Sequence, residues 1–76
     1  MINEHECVVL TEDLPAEGLK AGDIGTVVHI HQDGVAYEVE FMTLAGETIA
    51  VTTLLAAQVR PLARSDMAHA RELSIA

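Results

Sequence analysis

The four residues Gln32-Asp33-Gly34-Val35 separate two runs of strand-forming sequence, Ile24 to His31 and Ala36 to Met42. An Asp-Gly step between alternating apolar runs is a strong short-range hairpin signal, because Gly takes the positive φ that a tight reversal of an antiparallel pair needs. The hairpin fixes a register that can be read off the numbers. Pairing residues whose numbers sum to 67 sets Ile30 opposite Tyr37, Val28 opposite Val39 and Thr26 opposite Phe41 on one face. The other face then carries His31 with Ala36, His29 with Glu38 and Val27 with Glu40. A slip of one residue would turn each side chain to the opposite face. The first face reads as core and the second as surface.

The remaining segments fit around this hairpin as short strands. Cys7-Val8-Val9-Leu10 is an apolar, β-branched run ended by the turn chemistry of Asp13-Leu14-Pro15 and Glu17-Gly18. The loop Gly18 to Gly25 leads into the second strand. Leu44 to Glu47 makes the next turn, and Thr48 to Thr53 alternates with Ile49 and Val51 expected inward. Leu54 to Ala57 reads as one helical turn, and Gln58-Val59-Arg60 as a last short strand that Pro61 confines to an edge or ends. Gly22, Gly25, Gly34 and Gly46 are the expected structural turn positions. About five antiparallel strands in residues 1–62 predict a small, strongly bent sheet closing into a barrel. The alternative is an open sheet with a tail helix packed on one face.

Residues 63–76 form a separate tail. Ser65 to Leu73 begins with an N-cap type residue and continues with good helix formers, so it predicts a short helix or, failing an apolar surface to dock on, a disordered segment. Charge divides the chain at about the same place. The body through Gln58 holds ten acids and one base, Lys20, while the remainder holds Arg60, Arg64 and Arg71 against Asp66 and Glu72, giving the net −8 of the 76-residue chain. That balance disfavours general nucleic-acid binding, which needs clustered cations to displace counterions. A lone cysteine, no signal-like start and no long apolar run lead to the expectation of a cytoplasmic chain with no membrane association.

The stretch Gly22-Asp23-Ile24-Gly25-Thr26-Val27-Val28 resembles the start of the SH3-like small barrels of the KOW type, which carry Gly-x-x-Gly-x-Val where a loop tightens into a strand. Together with Val8-Val9-Leu10-Thr11, Asp13-Leu14-Pro15, Gly18 to Ala21, Ala36 to Phe41 and Gln58-Val59-Arg60-Pro61, it resembles the bacterial family called Domain of Unknown Function 4926 over roughly residues 5 to 62. The resemblance implies an SH3-like barrel and carries no catalytic residues.

Several side-chain groups invite chemistry. His29 and His31 lie two apart on a strand and so share a face with Glu38, a weak set for Zn²⁺ that a cross-strand pair on a solvated face explains better. The glycine loop lacks the Lys-Ser/Thr ending of a phosphate cradle and is flanked by Glu17 and Asp23. Cys7, expected as a small buried hydrophobe, shares a strand face with His5 but has no third orienting group, so the expectation is a non-enzyme with no cofactor. The acids Glu38, Glu40, Asp23 and Glu17 are the candidate partner-binding residues. They predict a non-catalytic protein-interaction module that steers a basic partner protein, encoded nearby, in the manner of antitoxin or immunity proteins. Self-association is a further expectation, since a domain this small has a thin core. The alternatives are a KOW-like nucleic-acid-associated barrel using Arg60, Arg64 and Arg71, and a histidine-based metal-binding protein.

Overall fold

The computed structural model describes residues 2–73. Five strands form one antiparallel sheet: β1 (Cys7–Leu10), β2 (Ile24–His31), β3 (Ala36–Met42), β4 (Thr48–Leu55) and β5 (Val59–Pro61), in the order β4-β3-β2-β1-β5. Single 3₁₀ turns at Pro15–Glu17 and Ala56–Gln58 join β1 to β2 and β4 to β5. The expected mainly β architecture of five strands is present, and the sheet does not close: β4 and β5 are its two edges and are not paired with each other.

The curvature of the sheet follows from chain length. Four strand spacings would put the edges of a flat five-stranded sheet about 19 Å apart. The link from Leu55 to Val59 spans at most about 14 Å when fully extended, and it is wound into a 3₁₀ turn instead. The sheet must therefore curl until its edges approach. Thr11, the residue after β1, holds that 3₁₀ turn, its amide donating to the Gln58 carbonyl and its hydroxyl to the Ala57 carbonyl, both at 2.9 Å.

Inside the curl lies one core drawn from every strand. Val8, Leu10, Val27, Val39 and Leu54 are the largest fully buried side chains, with Tyr37, Phe41, Val59, Leu19 and Ile2 completing the cluster. Removing this apolar surface from water is the main stabilising contribution, at roughly 25 cal/mol per Å². Gly25 lies against this core. A Cβ there would sit 2.5 Å from Val39 Cγ1 and 2.9 Å from Phe41 Cε1, so the role of Gly25 is close approach and not a turn. Gly34 does occupy a turn, at φ 103°, where it closes the β2–β3 hairpin, and Gly22 and Gly46 also have positive φ.

The hairpin register holds near the turn and changes below it. Ile30 faces Tyr37, His31 faces Ala36 and His29 faces Glu38 as expected, but a β-bulge between Val27 and His29 then pairs Val27 with Val39 and Thr26 with Glu40. An inserted residue shifts the alternation by one. Val27 is consequently core, while Val28, expected inside, is exposed.

In β4 the expected phase is reversed. Val51 pairs with Glu40 on the outer face, and Ile49 lies at a second bulge where Met42 pairs with Thr48; both are exposed. Ala50, Thr52 and Leu54 occupy the inner positions opposite Phe41, Val39 and Tyr37. Leu54 belongs to the strand and not to a helical turn, and the 3₁₀ turn begins two residues later. Its burial is the physical reason for the phase, because a side chain that fills the core outweighs the partial burial Ile49 or Val51 would gain.

The tail helix does not form among the described residues. A turn at Ala63–Asp66 is followed by irregular chain to Leu73. The segment is nonetheless strapped to the domain. Arg60 binds Asp66 through two nitrogens, at 2.9 and 2.8 Å, and Arg71 binds Asp23 through two, at 2.9 and 2.6 Å, while also donating to the Gly18 carbonyl.

Candidate protein-interaction surface

The outer face of the sheet is organised in rows set by the ladder. Cys7, Thr26, Glu40 and Val51 follow one another across β1, β2, β3 and β4, and beside them run His29, Glu38 and Thr53. Cys7 is exposed, contrary to the buried thiol expected, because the core side of β1 belongs to Val8 and Leu10. His5 does not share its strand: it lies in the turn before β1 at φ 71°. No cysteine–histidine pair arises from that spacing.

Glu38 and Glu40 are held by β4. The Thr53 hydroxyl donates to Glu38 Oε1 at 2.7 Å, and the Thr48 hydroxyl donates to Glu40 Oε2 at 2.6 Å. The Glu40 carboxylate is thus held from β4, while that of Glu38 bridges β4 and β2, its Oε2 lying 3.3 Å from His31 Nε2. Thr53 and the His31 ring, 3.3 Å away, hold the Glu38 carboxyl below its ordinary range. His29 and His31 meet edge to face with ring centroids 4.6 Å apart, and His29 Nδ1 is 3.9 Å from Glu4 Oε2. The register pairs Glu38 with His29, yet its side-chain contact is with His31. Among the described residues no three His, Cys, Asp or Glu side chains are grouped to hold a metal ion, so His29, His31 and Glu38 do not converge as ligands.

The other acidic candidates lie on loops and serve the fold. Asp23 accepts from the Lys20 amide and from Arg71, whose guanidinium keeps the Asp23 carboxyl below its usual range against the opposing effect of burial. Glu17 is exposed at the end of the first 3₁₀ turn. The structure thus separates the four candidates: Glu38 and Glu40 stand together beside the β4 edge, while Asp23 is occupied by the tail.

The tail also alters the arginines. Arg60 and Arg71 both hold carboxylates of the same chain, and Asp66, pinned by Arg60 and by the Ala63 amide, has its pKa lowered to about 2. Between the tail and the sheet lies a cleft of about 820 Å³, bordered by Ile24, Phe41, Met42, Ile49, Met67 and Leu73. Val9, buried though outside the core cluster, pairs with Ile24 and Arg60 beneath this segment.

Sequence reasoning missed the β4 edge itself. Thr48–Leu55 is eight residues long and has no charged residue, no Pro and no Gly. Val51 is 53% exposed and Leu55 60% exposed. Proteins usually blunt such an edge with a charge, a Pro or a short strand. The absence of all three from the sequence was the available signal, obscured by reading Leu54 and Leu55 as helical.

Fold and surface define a small antiparallel β-domain whose sheet ends in two edges, β4 and β5. The chain belongs to the family described as domain of unknown function (DUF4926), whose profile matches residues 4–61. No curated protein and no solved structure matches it. The matched region ends at β5, so the strapped tail lies beyond it. No helix among the described residues is long and apolar enough to cross a membrane.

Proposed function

We propose that this chain is a non-catalytic protein-interaction module that receives a basic partner protein on the side of the sheet formed by β3 and β4. The observation that carries this reading is the pair Glu38 and Glu40 on the outer face of β3, each accepting a hydroxyl of β4 (Thr53 and Thr48), an uncharged strand whose outer edge pairs with no other strand among the described residues. Negative potential beside an open edge raises the encounter rate with a cationic surface, and exposed Val51 and Leu55 add apolar contact once it docks. The net charge of −8 extends the attraction beyond the contact. Masking a basic protein, as antitoxin and immunity proteins do, is the form of the role that size and charge fit; the parallel is one of physical character alone. Nucleic-acid association through Arg60, Arg64 and Arg71 has less support, because two of the three are already paired within the chain.

Co-expression with the proteins encoded beside it tests the reading. One basic protein should co-purify in stoichiometric amount and dissociate as salt is raised. Recovery of the chain alone from all such pairs would reject it.

A further inference from the structure

We infer that the partner binds by strand addition, laying an extended segment with alternating basic and apolar residues along β4. This rests on the protein-interaction reading above and specifies its mode. The sheet offers two edges. At one, β5 is three residues long and carries Arg60 and Pro61, two of the devices that discourage pairing. At the other, β4 presents eight residues whose outer backbone side pairs with no strand among the described residues. Main-chain hydrogen bonding along such an edge supplies affinity, and the side chains that alternate across it supply selectivity.

The occupant is fixed by charge. A guest strand would lie one spacing beyond β4 and two spacings, about 9.6 Å, from β3. The carboxylate of Glu40 shortens that span because the Thr48 hydroxyl draws it toward β4, and Glu38 offers the oxygen that Thr53 holds on the same side. Each carboxylate has acceptor capacity beyond the bonds it makes: Glu38 receives Thr53 and contacts His31, and Glu40 receives Thr48. Lys or Arg on the outer face of the guest reaches these oxygens and lays its aliphatic stem on Val51 and Leu55 of the same face, while the apolar residues that alternate with it turn to the inner face beside Ala50, Thr52 and Leu54. A second copy of this chain would bring Glu38 and Glu40 of its own to the same face of the extended sheet and gains no such pairing.

The test uses the full chain and an acetylated, amidated octapeptide alternating Lys and Val, followed by amide chemical shifts and hydrogen exchange at low salt. The inference expects saturable binding, with shift changes and new protection concentrated in residues 48–55. The Glu38→Gln, Glu40→Gln double variant should bind at least tenfold more weakly while keeping its melting temperature. An octapeptide alternating Glu and Val should not bind. Equal binding of both peptides, or shifts centred on β5 or the tail, would overturn strand addition by a basic segment. So would concentration-dependent self-association that protects β4 without peptide, which would give the edge to a second copy. If a basic neighbour co-purifies equally well with a Val51→Lys variant, the docking role stands and the strand-addition mode falls. If the peptide binds but no neighbour is recovered, the edge is competent and the proposed role fails.

Discussion

The two edges of this sheet are separated in sequence by only Ala56–Gln58, yet they solve the problem of unpaired backbone in opposite ways. β5 is short, holds Pro61, and uses Arg60 to anchor the following segment through Asp66. β4 is long, uncharged and apolar, and its threonines act inward along the sheet surface on the carboxylates of β3. The comparison shows how edge protection is allocated: β5 is short and carries Arg60 and Pro61, whereas β4 carries no charge, Pro or Gly. An edge that is merely unprotected would be a liability. One flanked by outward carboxylates is what the proposed docking of a basic segment would use.

The largest effect should come from the residues that seat the two edges on the core. Leu54→Ala removes a side chain only 1% exposed and should cost about 2–5 kcal/mol in denaturant unfolding, more than the same truncation at the smaller Val59. Equal losses would mean that β5 holds the core as firmly as β4 does. Next comes Gly25→Ala, in β2 between the edges, where the added methyl forces Val39 and Phe41 to shift. A cost of about 1–3 kcal/mol is expected, with partner binding retained in the folded fraction.

Giving β4 a charge like that of β5 separates stability from docking. Val51→Lys, at a half-exposed position, should change unfolding free energy by no more than about 0.5 kcal/mol while abolishing partner capture. Capture that persists would place docking elsewhere.

The smallest effect concerns the β5 side at acid pH. Asp66 has a folded pKa of about 2, below its ordinary value of 3.8, so its stabilising contribution is present above the ordinary value and is lost as pH falls through about 2. The Ala63 amide, bonded to Asp66 at 2.7 Å, should report this loss by NMR between about pH 4 and pH 2. An Asp66→Asn variant should show no such titration, and β4 amides should be unaffected in both proteins.

Much of the fold was legible because strand chemistry and turns agree locally. The Asp33-Gly34 hairpin placed β2 beside β3, and the upper register followed by counting from it. The lower register was not legible, because a bulge at Val28 has no composition mark when Val27 and Val28 are the same residue type. The phase of β4 was hidden for a related reason. Ile49, Val51 and Leu54 are all apolar, and only the depth of the core beneath Tyr37 selects Leu54. For the tail, expected as a short helix or a disordered segment, the sequence left both open, since good helix formers specify nothing without a surface to pack on. Its real anchors, Arg60–Asp66 and Asp23–Arg71, include a pair far apart in the chain that no local pattern shows. Within the candidate site, Glu38 and Glu40 were visible as outward acids of a strand. Their hydrogen bonds from β4 were not, because these depend on threonines of a neighbouring strand whose phase was misassigned.

The pairing of β1 with β5 also bears on the order of assembly. β1, β2, β3 and β4 form a meander whose pairings are all between consecutive strands, whereas the pairing of β1 with β5 must wait for residues 59–61, near the far end of the family region. Non-local pairings incur more loop-closure entropy before they gain contact energy, so the expected sequence is meander first and seam last. The Thr48–Leu55 edge would then be presented before the domain is complete, and a partner could meet it during synthesis. Pulse-labelled hydrogen exchange during refolding should show β3 and β4 protected before β5; simultaneous protection would make assembly a single concerted event.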